Sequence, residues 1–283
     1  MSVREMKVED IKLAVKELSL KANTVLRPDV LEGIKRLYEQ EPKGTQAKNM
    51  LKILVENAEI ADKKNIPICQ DTGLVVVFLE IGEDVHFYGG DLIQAVNEGV
   101  EEAYREGFFR NSVVGDPLLR KNTGTNTPAA IHVDIVKGDR MKISVMPKGF
   151  GSENKSRLIM LNPTSGPDRI IDFCVETVKI AGPDACPPYV LGIGIGGTMD
   201  TCALLAKKAL LRPIDEPHRE PHVAEMENKI MEKAKALKIG IMGLGGLSTV
   251  MGVNIELAPT HIAGLPVAVN VACHALRSAS TII

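Results

Sequence analysis

The chain has 283 residues, of which 45% are hydrophobic, and its formal net charge is −2 at pH 7. This length and composition suit a large core, and the nearly balanced charge argues against a nucleic-acid or anionic-membrane partner. No apolar run reaches the roughly 20 residues of a membrane span, and the charged start MSVREMKVED lacks a signal peptide's apolar segment. Five cysteines, an odd number, argue against a disulfide framework, so we expect a protein of the reducing cytoplasm.

Helical periodicity dominates the first 65 residues. Apolar residues recur at helical spacing from Val30 to Tyr38 and again from Leu51 to Ala61. The following stretch LVVVFLEIG, residues 74–82, is β-branched and almost continuously apolar, which predicts a buried strand. Asp91 as N-cap and Gly107 as stop then delimit another predicted helix.

The rest of the chain mixes predicted strands and helices. Residues 129–147 alternate in polarity around a turn at 137–139, which predicts a β-hairpin. Further helices are predicted at about 168–180, 198–211 and 222–240, and further strands at 189–195, 254–259 and 266–273. Because no Ser/Gly-rich linker divides the chain, we predict one α+β domain over 1–283, with a helical lobe at 1–65 packed on a mixed sheet with flanking helices.

The five cysteines fall into two groups. Cys174 and Cys202 lie on apolar helical stripes, where cysteine packs as a small hydrophobic residue. Cys69, Cys186 and Cys273 lie at junctions between elements, beside polar or proline-rich turns such as CQDTG and ACPPY. Their wide separation lacks the short spacings of zinc and ferredoxin sites. From the residues alone, a metal role for these three and a structural role therefore both stay open.

A glycine motif offers an alternative of another class. Gly192, Gly194 and Gly197 stand in G-x-G-x-x-G register between a strand and a helix, which is typical of a nicotinamide-dependent oxidoreductase. The repeated strand–helix alternation of a dinucleotide fold does not follow, however. A second glycine cluster, IGIMGLGG at 239–246, favours instead two glycine turns that bring backbone close to one buried centre and cradle an anionic group.

Seven short motifs, each polar or rich in glycine or proline, occur along the chain. They are ICQDTG (68–73), FRNS (109–112), NTGTNTPA (122–129), KGFGSENK (148–155), ACPPY (185–189), IGGT (195–198) and CHALR (273–277). In this order and combination they resemble the α subunit of the class I fumarases and the related tartrate dehydratases, which are iron–sulfur hydro-lyases. The resemblance runs from about residue 60 to the C-terminus.

The resemblance implies a cofactor. In this family a 4Fe–4S cluster is held by three cysteines, and the matching positions are Cys69, Cys186 and Cys273 on loops that converge at one cleft. Three thiolates leave one iron open to substrate, where it can act as a Lewis acid.

The resemblance also implies substrate contacts. They map onto Gln70, Asp71 and Arg110, with Asp71 also assigned a catalytic role. A glycine of the KGFGS turn completes the set; Gly149 and Gly151 are the alternatives, and Gly151 is the predicted one.

The implied activity is reversible dehydration of (S)-malate to fumarate, a step of the tricarboxylic acid cycle, with L-tartrate dehydration as the alternative. The chain reaches Ile283 with no room for the family's second module, which the resemblance places on a β subunit that supplies the catalytic base. His274 is the only nearby candidate for that base. Its position next to Cys273 suits it better to a hydrogen bond that supports this ligand than to proton abstraction. We therefore expect a β-subunit partner, in an α₂β₂ heterotetramer.

Overall fold

The computed structural model describes residues 3–283 and has the α+β architecture predicted from the sequence. Its helices are α1 (Val8–Thr24), α2 (Pro28–Gln40), α3 (Gln46–Lys64), α4 (Leu92–Glu106), α5 (Phe150–Glu153), α6 (Gly166–Ala181), α7 (Met199–Ala209) and α8 (Pro221–Lys235), with a 3-10 turn at Ile241–Gly243. Its strands are β1 (Arg4–Lys7), β2 (Leu74–Gly82), β3 (Val85–Tyr88), β4 (Ala130–Val136), β5 (Met141–Lys148), β6 (Arg157–Leu161), β7 (Tyr189–Gly197), β8 (Val250–Thr260), β9 (Leu265–Ala272) and β10 (Ala279–Ile282). No helix in this described part of the chain is long and apolar enough to cross a bilayer.

The described chain divides into two compact units. Unit 1 comprises the residues up to Arg27, Ala58–Phe150 and Arg277–Ile283, and unit 2 comprises Pro28–Asn57 and Gly151–Leu276. The helices predicted in the first 65 residues are confirmed as α1, α2 and α3, and they are preceded by the unpredicted short strand β1. The assignment of 1–283 to a single domain stays a prediction.

Unit 1 contains a four-stranded sheet in the order β10-β5-β2-β4. The hairpin predicted over 129–147 is wrong, because β2 lies between β4 and β5, parallel to the first and antiparallel to the second. Strand β2 is apolar on both faces and buried along almost its whole length, so it occupies the centre of the sheet. At the edge, β4 leaves Val133 and Ile135 exposed. Helices α1 and α4 contribute the apolar side chains that cover the sheet core.

Unit 2 contains a second four-stranded sheet, in the order β6-β9-β7-β8. Strand β7 runs parallel to β8 and antiparallel to β9, so the sheet is mixed. Alternate residues of β9 face opposite sides: Val267 and Val269 join the large core with α6 and α8, whereas Ala268 packs against Cys202 and Ala206 of α7. The sheet is therefore covered by helices on both faces.

Candidate active site

The CQDTG motif forms a loop of unit 1 between α3 and β2. The segment before Cys69 is not a strand, but its backbone is anchored by the Ile68 amide, which donates to the carbonyl of Asn23 at 2.9 Å. The side chain of Cys69 is half-buried, and that of Gln70 is exposed. The loop thus presents a thiol and an amide side by side.

The carboxylate of Asp71 is held by two backbone amides. Its Oδ1 accepts from the Gly73 amide at 3.0 Å, and its Oδ2 accepts from the Phe150 amide at 2.9 Å. A Cβ added to Gly149 would lie 3.1 Å from the same Oδ2, so a larger residue there would crowd the carboxylate. The KGF turn therefore fixes the orientation of Asp71 through its backbone.

Two further motifs hold the same loop. The Thr72 hydroxyl donates to the carbonyl of Arg110 in the FRNS segment at 2.8 Å. Asn126 of the NTGTNTPA loop donates its Nδ2 to the Gly73 carbonyl at 3.1 Å, and its Oδ1 accepts from the Ser112 amide at 2.7 Å. Motifs more than 35 residues apart thus meet around one turn, and the Arg110 side chain beside it is exposed.

A buried arginine lies beneath the loop. Arg277 is 3% exposed and donates its Nη2 to the Asp71 carbonyl, while the Tyr104 hydroxyl donates to the Thr72 carbonyl. Burial raises the pKa of Tyr104 to about 12, against the opposing effect of the Arg277 charge. Sequence reasoning did not assign these residues to the site. Arg277 directly follows the apolar residues Ala275 and Leu276, which was a usable signal because a buried arginine needs partners. The sequence around Tyr104 offered no such signal.

Cys186 and Cys273 are brought together within unit 2. Strands β7 and β9 are antiparallel with Val190 opposite Ala272, so the residues before β7 and after β9 lie at the same edge of the sheet. There the amide of His274 donates to the Cys186 carbonyl at 3.3 Å. Burial raises the pKa of Tyr189 well above its usual value, and the adjacent Cys186 and Cys273 act in the same direction.

The cysteines divide as predicted into buried and accessible groups. Cys174 and Cys202 are fully buried; burial raises the pKa of both thiols, that of Cys202 to about 11. Cys69 and Cys273 are half-buried and Cys186 is exposed. Accessible thiols have the donor chemistry that an iron–sulfur cluster takes. Within residues 3–283, no group of three or more His, Cys, Asp or Glu side chains is clustered as a metal site, and the metal role of these cysteines stays a prediction.

The G-x-G-x-x-G motif has a structural explanation. Gly192 and Gly194 lie inside β7, where an added Cβ would overlap the carbonyl oxygens of Ala206 and Cys202 in α7. The glycines therefore allow the helix to pack directly on the strand. They do not form the turn that cradles a dinucleotide phosphate, and the mixed sheet differs from a parallel dinucleotide-binding one. The oxidoreductase alternative loses its supporting motif.

The predicted substrate residue Gly151 lies in α5 of unit 2 and is exposed. An added Cβ at this position would meet nothing within 4 Å, unlike one at Gly149. The backbone around Gly151 is thus accessible, whereas that of Gly149 is packed against Asp71.

Comparison with known proteins agrees with this motif set. The model of a family described as fumarate hydratase (Fumerase) matches residues 12–282. This chain therefore belongs to the fumarate hydratase family, whose members are hydro-lyases.

Relatives match over almost their full length. The chain is 42% identical over 280 residues to the "Putative L(+)-tartrate dehydratase subunit alpha" of Methanocaldococcus jannaschii, with 97% of this chain and 96% of the relative covered. It is 31% identical over 285 residues to the L(+)-tartrate dehydratase subunit alpha of Escherichia coli O157:H7, with 100% and 93% covered. The corresponding subunit of Escherichia coli strain UTI89 is 32% identical over 279 residues, with 98% and 91% covered.

Proposed function

We propose that this chain is the α subunit of a two-subunit iron–sulfur hydro-lyase that dehydrates a small 2-hydroxy dicarboxylate. The observation that carries the proposal is the Cys69–Gly73 turn, where four separate motifs hold a thiol, an amide and a carboxylate in one place. Such convergence of polar side chains costs stability and is typical of sites rather than of cores.

Cys69, Cys186 and Cys273 would hold a 4Fe–4S cluster. The proposal is supported by their accessibility, which Cys174 and Cys202 lack. When bound, such a cluster supplies an iron with an open coordination position that polarises a substrate hydroxyl and carboxylate.

The side chains near Cys69 would bind and orient the substrate. The guanidinium of Arg110 is exposed, and its planar donors suit bidentate binding of a carboxylate. Gln70, also exposed, can donate from its amide. Asp71 would align the departing hydroxyl, since its carboxylate is held by two amides and keeps further acceptor positions. The accessible backbone amide of Gly151 would bind the second carboxylate.

The base that removes the C–H proton would come from a β subunit. His274 is beside Cys273, and its backbone amide donates to the Cys186 carbonyl, so this residue helps to hold the two cysteine segments together. The relatives are named as alpha subunits, which supports a partner chain. An α₂β₂ assembly through a large apolar interface is the expected form.

There are two candidates for the substrate. (S)-Malate, giving fumarate, is the substrate that we propose first, consistent with the description of the family. L(+)-Tartrate is the second candidate, favoured by the names of the relatives. The two acids differ by one hydroxyl, so a single polar contact in the pocket would discriminate between them.

The decisive experiment is anaerobic coexpression of this chain with a candidate β subunit and assay on both acids. We expect malate turnover that exceeds tartrate turnover, and negligible activity from the chain alone. Faster turnover of tartrate than of malate would make tartrate the proposed substrate and leave the proposed class of reaction unchanged. Full activity without the partner would refute the division of the site between subunits.

A further inference from the structure

The second glycine cluster of the sequence forms a tightly turned loop of unit 2, residues 238–248, which we call the glycine loop. Several of its residues have φ in the left-handed region, namely Lys238, Gly240, Met242, Gly243, Gly245 and Gly246. Backbone bonds close the loop on itself, including one from the Gly245 amide to the Ile239 carbonyl at 2.9 Å. The loop was predicted to cradle an anionic group.

The anion that the glycine loop holds belongs to the chain itself. Glu41, just after α2, is 2% exposed, and its Oε1 accepts from the Leu247 amide at 2.7 Å and from the Ser248 hydroxyl at 2.6 Å. A Cβ added to Gly246 would lie 2.7 Å from this Oε1, so only glycine leaves room for the carboxylate. Glu41 therefore ties one end of the loop to the end of α2.

The other contacts of the glycine loop lead to the segment that carries Cys186. The amide of Met242 donates to the Pro187 carbonyl at 3.1 Å. A Cβ added to Gly243 would lie 2.6 Å from the Cβ of Pro183. The loop thus lies against residues on both sides of Cys186, the Pro183 side chain and the Pro187 carbonyl.

A third connection reaches the start of β7. The amide of Gly240 donates to the Thr249 hydroxyl at 3.0 Å, and the Tyr189 amide donates to the Thr249 carbonyl at 2.9 Å. Because Thr249 directly follows Ser248, a displacement of the Glu41 contact would be transmitted to Tyr189.

Cys186 needs external support, because its φ is +55° and this conformation is unfavourable for a residue with a Cβ. We propose that Glu41 is a positioning residue for Cys186: it fixes the glycine loop, which in turn fixes the 183–189 segment in the conformation that presents the thiol. The role toward a cluster rests on the proposed function. The contacts that connect Glu41 to the segment of Cys186 do not depend on the proposed function.

The test compares Glu41→Ala with Glu41→Gln in the full chain by hydrogen exchange and by iron retention. Removing the acceptor should speed exchange of the Met242 and Tyr189 amides about tenfold, because one buried contact governs the local opening. The Gln variant keeps an acceptor oxygen and should exchange within about twofold of wild type. The Ile193 amide in the middle of β7 should be unchanged in both.

Glu227→Ala is the matched control. Glu227 is also a buried glutamate of unit 2 that accepts from a backbone amide, that of Ile255 at 2.7 Å, but its partners lie outside the glycine loop. We expect it to lower stability without changing exchange at Tyr189. After anaerobic reconstitution, Glu41→Ala should lose iron to a chelator about tenfold faster than wild type, whereas Glu227→Ala should not.

Each other outcome has a definite meaning. Unchanged exchange at Met242 and Tyr189 in Glu41→Ala would overturn the proposal, and so would equal acceleration at Ile193, which indicates general loosening. Faster exchange with unchanged iron release would refute the positioning of Cys186 for a cluster. Failure of the wild-type chain to hold iron would refute the proposed function instead, and the exchange result would still decide the mechanical link.

If Glu41→Ala does not fold, Ser248→Ala removes a donor from the same contact and should give the same local pattern.

Discussion

The two units hold their accessible cysteines by different means. In unit 1 the turn that carries Cys69 is fixed by side chains, with Thr72 and Asn126 bonded to backbone groups of other segments and Arg277 beneath. In unit 2 Cys186 and Cys273 are placed by strand pairing and backbone contacts at one sheet edge. Polar side chains leave a visible motif in the sequence, whereas pairing of distant strands leaves little beyond glycines and prolines.

The sharpest test of this comparison is substitution of the cysteines. Changing Cys69, Cys186 or Cys273 to Ser should abolish bound iron and activity, because a three-thiolate site has no spare ligand. Cys174→Ala and Cys202→Ala should retain both and lose about 1–2 kcal/mol of stability through small cavities. Iron content after anaerobic purification and urea unfolding provide the measurements. Retention of iron in any of the three Ser variants would remove that cysteine from the ligand set.

Arg277→Met tests whether side chains hold the unit 1 turn. The substitution removes the donor to the Asp71 carbonyl and leaves that acceptor unpaired, so we expect a loss of about 2 kcal/mol and a fall in kcat/KM of about 10–100-fold. Steady-state kinetics of the two-subunit complex and thermal unfolding would measure both.

Arg140→Met is the control, because Arg140 is an exposed arginine of the same unit. We expect it to behave like wild type within about 0.5 kcal/mol. Full activity in Arg277→Met would show that the remaining contacts of Thr72 and Asn126 suffice to hold the turn.

A pair of glycine substitutions contrasts packing with substrate binding. Gly192→Ala places a methyl group against the Ala206 carbonyl of α7, so we expect a loss of about 2 kcal/mol or more in the free energy of unfolding. Gly151→Ala meets no atoms and should be within about 0.5 kcal/mol of wild type, yet should raise KM if its backbone binds substrate. Unfolding curves and kinetics on both variants separate the roles. A stable Gly192→Ala variant would contradict the packing explanation.

The smallest effect concerns Tyr104 and pH. Its pKa is raised to about 12 by burial, above the ordinary value near 10, so its contribution to stability is complete below pH 10 and declines as pH rises towards 12. Tyr104→Phe should cost about 1 kcal/mol at pH 7 through the lost hydrogen bond to Thr72. This deficit should shrink above pH 10, as measured by urea unfolding at both pH values. If the stability difference between Tyr104→Phe and wild type were the same at both pH values, the ionisation of Tyr104 would not be what lowers stability at high pH.

The sequence predicted local elements well and long-range pairing poorly. Strand β2 was predicted with the observed bounds, and Asp91 and Gly107 delimit α4 as expected, because these signals lie within the segments themselves. The hairpin over 129–147 failed because alternation fixes which side chains face a core but not which strand lies beside which. Here the more apolar β2 occupies the position between the two expected partners.

The same limit applies to the candidate site. The accessible and buried cysteines could be separated by their neighbours in sequence, since helical stripes and proline-rich junctions are local features. Tyr104 and Arg277 were not assigned because they bond to backbone carbonyls of distant segments, and Glu41 because its partners are the Leu247 amide and the Ser248 hydroxyl, more than 200 residues away. When a polar residue bonds to neutral groups such as these, the sequence contains no side chain of opposite charge from which the pairing could be predicted.

The strand order of unit 1 also bears on how the chain is made. Synthesis proceeds from the N-terminus and domains tend to fold as they emerge, yet unit 1 draws β10 and Arg277 from a stretch that follows all of unit 2. Until the ribosome has passed that stretch, β5 pairs with β2 on one side only, and the Asp71 carbonyl lacks the Arg277 guanidinium. The turn that carries Cys69 can therefore reach its final form only after residues 277–283 have been made, although Cys69 itself lies more than 200 residues earlier in the chain.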